Sequence, residues 1–288
     1  MTPELLWDCA CGTGEGPLWS EAEQALWFVD IPGHRLLRYT PATAAREEWP
    51  TPSKPGFVAI AAGGRLVVGL AHALARFDPA NGSFAPFCEV EADRPANRIN
   101  DGAVGPDGRL WFGTMDDAEV AQSGALYSWD VARGLVRHDD GFGVTNGPAF
   151  SPDARTFYLT DSFARTVFAF DHADGRLSNR RVFLELEPEA GFPDGTTVDT
   201  EGGLWIGLWE GWAARRYGSE GTRTHEVRLP VGNVTKIAFG GTGLRTAYAT
   251  SACGGLSAEA LEAQPLAGAL FAFAAPVAGK PALMAELG

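Results

Sequence analysis

Polar side chains interrupt short apolar stretches at similar positions along the chain. The stretches "GEGPLW", "INDGAV", "TNGPAF", "PDGTTV" and "VTKIAF" carry Glu15, Asn100, Asn146, Asp194 and Thr235 with Lys236. Oxygen donors without sulfur are the ligands that hard divalent cations prefer. If Glu15, Asn146 and Asp194 meet at one point, the two carboxylates repel unless a proton or a cation lies between them. These residues therefore predict a divalent metal site.

Two further polar residues stand beside this set, in the stretch "NRINDG". Arg98 and Asn100 have the donors and acceptors to hold the hydroxyls or the carbonyl of a polar substrate. Two plainer interpretations stay open. Arg98 is also the kind of residue that forms a solvated surface ion pair, and Asn-Gly and Asp-Gly are ordinary turn dipeptides. The recurrence of the polar position favours a ring of oxygen donors over turns.

A sixfold repeat explains how residues so far apart can meet. The anchors Trp27, Val67, Trp111, Tyr158, Trp205 and Tyr248 follow one another at steps of 40 to 47 residues. Each unit alternates short aromatic or β-branched runs with polar turns, which is typical of propeller blades of four antiparallel strands. We predict an all-β, six-bladed β-propeller that forms one domain over residues 1–288. The polar stretches precede the anchors by ten to thirteen residues and would line the central channel.

The two ends of the chain also carry structural predictions. Residues Glu4 to Cys9 should pair with the final repeat, because an unpaired edge strand favours aggregation. A short helix is expected over Leu256 to Glu262 in "GLSAEALEAQ", as an insertion in the last repeat. Two separate β-sandwiches are a weaker alternative, since no linker or change of composition divides the chain near its middle.

Composition narrows the class of partner. The formal net charge is −13 with a pI near 4.8, and the 23 basic residues are scattered, so we expect no nucleic-acid partner. No apolar run is long enough to cross a membrane, and "MTPELLWDCA" lacks the basic and apolar regions of a signal peptide. Four cysteines at irregular spacings predict free thiols. We expect a cytoplasmic monomer that acts on a small molecule.

The motifs together resemble the gluconolactonase, regucalcin and senescence-marker-protein family of six-bladed propellers. The resemblance covers nearly the whole chain and rests on "GEGPLW", "NRINDGAVGPDGRLWFGTM", "TNGPAFSPD", "FPDGTTVD" and "GLSAEALEAQPLAGALF". It is greatest with bacterial sugar lactonases such as xylonolactonases. The resemblance implies one divalent metal ion held by Glu15, Asn146 and Asp194, with Asp194 also the catalytic base. It further implies that Arg98 and Asn100 bind a sugar lactone.

The resemblance has one departure and leaves the ion open. Some relatives have a substrate-binding Glu three residues after the Met of "GTM", where this chain has Ala118, flanked by Asp116, Asp117 and Glu119. Which lactone is bound is therefore not fixed by the motif. Calcium, zinc, manganese and ferrous iron all accept these donors.

Three functions are compatible with such a propeller. The first is metal-dependent hydrolysis of an aldono-1,4- or 1,5-lactone to the aldonic acid. The second is a calcium-binding regulatory propeller without turnover, which would use the same ligands. The third is a pure interaction propeller, since a fold does not fix a function. The third predicts apolar or small residues at the channel mouth, contrary to Glu15, Asn100, Asn146 and Asp194.

Overall fold

The computed structural model describes residues 1–287 and contains six four-stranded antiparallel sheets. Blade 1 is β2 to β5 (Gly14–Ser20, Ala25–Asp30, Arg35–Thr40, Ala45–Pro50) and blade 2 is β6 to β9 (Pro55–Ala61, Arg65–Leu70, Ala73–Asp78, Ser83–Glu89). Blade 3 is β10 to β13 (Asn97–Val104, Leu110–Asp116, Gly124–Asp130, Gly134–Phe142) and blade 4 is β14 to β17 (Thr145–Phe150, Thr156–Asp161, Thr166–Ala173, Arg176–Glu185). Blade 5 is β18 to β21 (Phe192–Val198, Leu204–Trp209, Ala213–Tyr217, Arg223–Arg228). Blade 6 is β22 to β24 (Val234–Gly240, Thr246–Ser251, Leu270–Ala274) with β1 (Glu4–Trp7) as its outer strand.

The innermost strands form a closed ring. Each of β2, β6, β10, β14, β18 and β22 contacts the innermost strand of the next blade, and β22 contacts β2. The six anchor residues all lie in the second strands of their blades and are buried. Trp27, Trp111 and Trp205 are fully covered and pack between sheets, so burial of these large rings contributes much of the hydrophobic stabilisation. The predicted six-bladed propeller is confirmed.

The ring is closed by pairing between the two ends of the chain. Strand β1 runs antiparallel to β24, with Glu4 opposite Ala272 and Trp7 opposite Leu270. The predicted pairing of the first residues with the final repeat is confirmed, although the strand ends at Trp7 rather than at Cys9. Trp7 is buried and meets the ring of Phe28 edge-on at 5.7 Å. The first strand is thus fixed to blade 1 as well as to blade 6.

The remaining end predictions also hold in outline. A short helix of six residues, α1 (Ala258–Ala263), follows Ser257. The Oγ of Ser257 accepts a hydrogen bond from Ala260 N at 3.2 Å. The helix starts and ends later than the sequence suggested, and its start is set by Ser257, which is the N-cap. All four cysteines are free thiols. Within residues 1–287 no helix is long and apolar enough to cross a membrane.

The last residues cross the end of the channel opposite the polar ring. Gly279 bridges to Asp199 and Ala285 bridges to Ala61, and Lys280 Nζ donates to Phe150 O at 2.5 Å. A cavity of about 390 Å³ lies at this end, between the innermost strands and residues 280–283. The channel is therefore covered at one end by the chain itself.

Candidate metal and substrate site

A β-bulge at the same place in five innermost strands sets the direction of the polar side chains. The register shifts between Glu15 and Leu18, Ile99 and Gly102, Asn146 and Ala149, Pro193 and Thr196, and Val234 and Ile237. A bulge leaves residues unpaired and re-aims their side chains. The glycines in these segments have little room for a side chain: a Cβ on Gly147, where φ is +56°, would lie 1.8 Å from Thr196 Oγ1. Repetition of this bulge explains why the polar residues converge.

The five residues predicted from sequence line one cavity of about 160 Å³. Glu15, Arg98, Asn100, Asn146 and Asp194 all contribute to its wall. The rest of the wall is mostly apolar and aromatic, and includes Ile31, Met115, Val144, Phe163, Phe192 and Trp209. A small concave site with a few convergent polar groups and an apolar wall is the usual form of a small-molecule site.

Glu15 is a buried carboxylate that is only half satisfied. Its Oε2 accepts a hydrogen bond from Gly16 N at 2.6 Å, whereas its Oε1 is buried without a partner. Burial, and then the negative charge of Asp101, raise the pKa of Glu15 to about 8. An orphaned carboxylate oxygen in such a place is costly unless a cation or a proton binds it.

Asp194 has the same problem in the same cavity. Burial raises its pKa well above the ordinary value, and the negative charge of Glu15 raises it further. The carboxylates of Glu15 and Asp194 therefore repel each other, and a divalent cation between them would relieve that repulsion. Within residues 1–287 no three His, Cys, Asp or Glu side chains form a metal-binding group. The amide oxygen of Asn146 is a further oxygen donor in the wall of the same cavity.

A chain of hydrogen bonds fixes the orientation of the Asn146 amide. Its Nδ2 donates to Ser162 Oγ at 2.9 Å, and its Oδ1 accepts from Asn100 Nδ2 at 3.1 Å. Asn100 Nδ2 also donates to Thr145 O at 2.8 Å. A carbonyl oxygen has two lone pairs, so Asn146 Oδ1 keeps one for a cation. The amide is therefore arranged as an acceptor toward the cavity.

Arg98 is a buried guanidinium and not a solvated surface charge. It is 8% exposed, its NH1 donates to Asn100 Oδ1 at 2.6 Å, and its Nε donates to Asp117 Oδ1 at 2.9 Å. Burial lowers its pKa. Asp117 is held in turn by Lys54 Nζ at 2.6 Å. Arg98 is thus positioned in the wall with donors available to a bound molecule.

The three acidic residues around Ala118 have different environments. Asp116 Oδ2 accepts from Val120 N and Ala121 N at 3.0 and 2.9 Å, so it caps a turn. Asp117 is engaged with Arg98 and Lys54. Glu119 lines the cavity, and its φ of 58° is in the left-handed region. Of the three, Glu119 is the one that lines the cavity.

One pair of charged residues near the site has no role in the sequence interpretation. Asp101, which follows Asn100 in β10, forms an ion pair with Lys236 of β22, with Nζ 2.5 and 2.7 Å from the two carboxylate oxygens. Both side chains are buried. Lys236 already stood among the channel residues, but its partner is 135 residues away. The one sequence signal is the Asp in "INDG", where the equivalent stretch of blade 4 has "TNGP".

Comparison with known proteins agrees with this architecture. Residues 13–253 match the family model described as the SMP-30/Gluconolactonase/LRE-like region. Regucalcin from Danio rerio is 38% identical over 263 residues, covering 90% of this chain and 89% of the relative. A calcium-binding protein, regucalcin, from Agrobacterium tumefaciens has a TM-score of 0.94 at 26% identity, over 98% of this chain and 97% of that one. A gluconolactonase from Xanthomonas campestris has a TM-score of 0.79 at 25% identity, over 95% and 89%.

The family match spans most of the chain and contains the bulged strands that carry Glu15, Arg98, Asn100, Asn146 and Asp194. The alignment with the Danio rerio regucalcin covers nine-tenths of the chain. This propeller therefore belongs to the SMP-30/gluconolactonase/LRE-like family.

Proposed function

We propose that the protein is a metal-dependent lactonase that hydrolyses an aldono-1,4- or 1,5-lactone to the aldonic acid. The observation that carries the proposal is the pair of buried, mutually repelling carboxylates of Glu15 and Asp194 in one cavity with the Asn146 amide. The gluconolactonase among its structural relatives supports the reaction class. The cavity, about 160 Å³, suits a molecule of the size of a single sugar ring.

Glu15, Asn146 and Asp194 would hold one divalent ion. When bound, such an ion polarises the ester carbonyl and stabilises the negative charge that develops on its oxygen. The donor set fits a hard cation, because it consists of two carboxylates and an amide oxygen. The calcium-binding description of the Agrobacterium regucalcin favours calcium. Zinc, manganese and ferrous iron accept the same donors.

The side chains around the ion have complementary tasks. Asp194 is the base that takes a proton from the attacking water, because it is a carboxylate in the wall of the cavity. Arg98 and Asn100 orient the lactone through its ring hydroxyls or carbonyl. Glu119 faces the same cavity and is suited to accept hydrogen bonds from a sugar hydroxyl. The apolar wall limits access of bulk water to these groups.

A calcium-binding propeller without turnover is the alternative. It is favoured by the similarity to the Agrobacterium regucalcin, which is a calcium-binding protein. It uses the same three ligands, so the metal site does not distinguish the two functions. The buried Arg98, aimed into the cavity beside the carboxylates, favours turnover, since ion binding alone does not need a cationic side chain there.

Elemental analysis of the purified protein, followed by a pH-stat assay on a panel of aldono-1,4- and 1,5-lactones, tests the proposal. We expect about one equivalent of a divalent ion and metal-dependent acid release, lost on chelation and restored on reloading. Stoichiometric metal without acid release from any lactone would favour the calcium-binding alternative. Acid release that is unchanged after complete metal removal would contradict the proposed site.

A further inference from the structure

We infer that the buried Asp101–Lys236 ion pair is a positioning pair that contributes to the net charge of the proposed metal site and supports the two bulged strand segments that carry Asn146 and Asp194. The inference rests on the metal-binding part of the proposed function and not on lactone turnover. Asp101 lies in blade 3 and Lys236 in blade 6. The pair therefore spans the channel and contacts Gly147 and Gly195, which follow two residues in the wall of the site cavity.

Asp101 contacts three blades with two oxygens. Its Oδ2 accepts from Gly147 N at 2.7 Å, directly after Asn146, and its Oδ1 accepts from Gly102 N at 2.7 Å. Both oxygens also accept from Lys236 Nζ. The carboxylate of Asp101 is held in one orientation, because both of its oxygens contact the lysine and one also accepts a charge-assisted hydrogen bond from the Gly147 amide. Asp101 therefore fixes the backbone amide next to a proposed ligand.

Lys236 supports the other bulged segment, which carries Asp194, through its hydrocarbon stem. A Cβ on Gly195 would lie 2.6 Å from Lys236 Cγ and Cδ, so the stem packs directly against Gly195, the residue after Asp194. Lys236 also lines the 390 Å³ cavity at the opposite end of the channel, whereas Asp194 lines the site cavity. Lys236 thus packs against the residue next to Asp194 and also lines the cavity at the other end of the channel.

The charges of this group act on one another. Asp101 raises the pKa of both Glu15 and Asp194, and Lys236 lowers both. When all four are ionised, Glu15, Asp194, Asp101 and Lys236 sum to a net charge of −2, which one divalent ion balances; Arg98, which also acts on Glu15, is paired with Asp117. Without Lys236 the net charge would be −3, and without the Asp101 charge it would be −1. Since Coulomb energy scales with charge, the two losses should change metal affinity in opposite directions.

Titration calorimetry with Ca²⁺ alone and with Mn²⁺ alone tests this on three variants. We expect Asp101→Asn to raise the Kd for the metal at least about tenfold. We expect Lys236→Met, which keeps most of the hydrocarbon stem, to lower that Kd at least about tenfold. The double variant restores the net charge of −2 and should bind within about threefold of wild type. Weakened binding in both single variants would show a merely structural pair and overturn the inference.

Two further measurements decide the remaining outcomes. Arg216→Met removes one partner of a buried ion pair in blade 5, in which Arg216 Nε lies 2.6 Å from Asp199, and should lower the melting temperature with an unchanged metal Kd. A tenfold change in that control would attribute the effect to general destabilisation and overturn the inference. If Lys236→Met does not fold, the double variant decides: near-wild-type affinity supports the inference, and a loss beyond about tenfold overturns it. A wild type that binds metal but hydrolyses no lactone leaves this test intact, whereas a wild type that binds no divalent ion overturns it.

Discussion

At the scale of single residues, the site is defined by groups that the protein leaves unsatisfied. Glu15 Oε1 is buried without a hydrogen-bond partner, and the pKa of Asp194 is raised by burial and by Glu15. Buried groups of this kind lower the stability of the metal-free protein and therefore favour a bound cation. By contrast, Arg98 and Asn146 are well engaged through Asn100. The Glu15 carboxylate, one of the proposed ligands, thus lacks a partner for one oxygen, whereas the Asn146 amide and the residues proposed to bind substrate are already oriented by hydrogen bonds.

Asp194→Asn tests the residue with two tasks. The substitution keeps the size and one oxygen donor but removes the charge and the basicity. We expect a folded propeller with weaker metal binding and a lactone-hydrolysis rate at least about a hundredfold lower at saturating metal, which is the usual effect of losing a general base. Steady-state kinetics across a metal titration measure it. A near-wild-type rate at replete metal would make Asp194 a ligand only.

Arg98→Ala separates substrate binding from metal binding. Because Arg98 is assigned to the lactone, we expect a higher KM or a lower kcat with the metal content unchanged. Arg133→Ala, at an exposed arginine in blade 3, is the matched control and should leave both unchanged. Kinetics and elemental analysis are measured on the same preparations. Loss of the metal together with activity would show that Arg98 supports the ion site instead.

At the scale of elements, the repeated bulge in the innermost strands converts a sheet edge into a ring of donors. The bulge falls at Glu15, Asn146 and Asp194 in blades 1, 4 and 5. In blade 2 the equivalent stretch carries Phe57, which is fully buried and packs on Phe112 at 6.2 Å. Blade 2 therefore has a core side chain at the position where blades 1, 3, 4 and 5 present a polar side chain to the cavity. The innermost strand thus contributes to the core or to the cavity wall, depending on which residue occupies this one position.

Gly147→Ala tests the bulge of blade 4. The new Cβ would meet Thr196 Oγ1 and the backbone N of Thr196, at 1.8 and 2.8 Å, and the backbone cannot move away cheaply. Gly134→Ala is the matched control, since φ is +68° there with nothing within 4 Å. Urea unfolding should show a loss of about 1–2 kcal/mol for Gly134→Ala and a larger loss for Gly147→Ala. Equal losses would mean that the Thr196 contact relaxes freely.

The sequence predicts the elements better than the contacts between them. Anchor spacing and polar position identify the blades and bring Glu15, Arg98, Asn100, Asn146 and Asp194 to one cavity, because both follow from a local repeat. The Asp101–Lys236 pair and the crossing of residues 280–283 are not local. They depend on which blades face each other across the channel, and no spacing within one repeat contains that information. The roles of the five site residues remain predictions.

At the scale of the whole molecule, the site joins blades that are distant in the chain. A cation held by Glu15, Asn146 and Asp194 would connect blades 1, 4 and 5 at the centre of the ring. Anything that binds only the native state stabilises it, by about 2.7 kcal/mol at a hundred times the Kd. We expect a chelator to lower the melting temperature and added metal to restore it, as measured by calorimetry. An unchanged transition after verified metal removal would contradict a shared site.

The stability of the metal-free protein should also depend on pH. Glu15 has a pKa of about 8 in the fold against an ordinary 4.5, so the native state binds more protons than the unfolded one and stability falls as pH rises between these values. Burial lowers the pKa of His138 from 6.5 to about 4. This group therefore makes the stability rise with pH between these two values, which is the opposite direction. The melting temperature of chelated protein should therefore fall between pH 6.5 and 8. Glu15→Gln should reduce this fall, and a fall of the same size with metal bound would contradict the assignment.

Pairing of β1 with β24 also has a consequence for biosynthesis. Strand β1, Glu4–Trp7, has its partner in Leu270–Ala274, which is synthesised much later. Until that partner emerges, the ring is open and Trp7 lacks the strand it pairs with. A chain that ends prematurely, before blade 6, can form blades but cannot close the circle of donors around the channel. Variants truncated before Leu270 should therefore leave the ring incomplete, bind a divalent ion poorly and be more sensitive to protease than the longer chain.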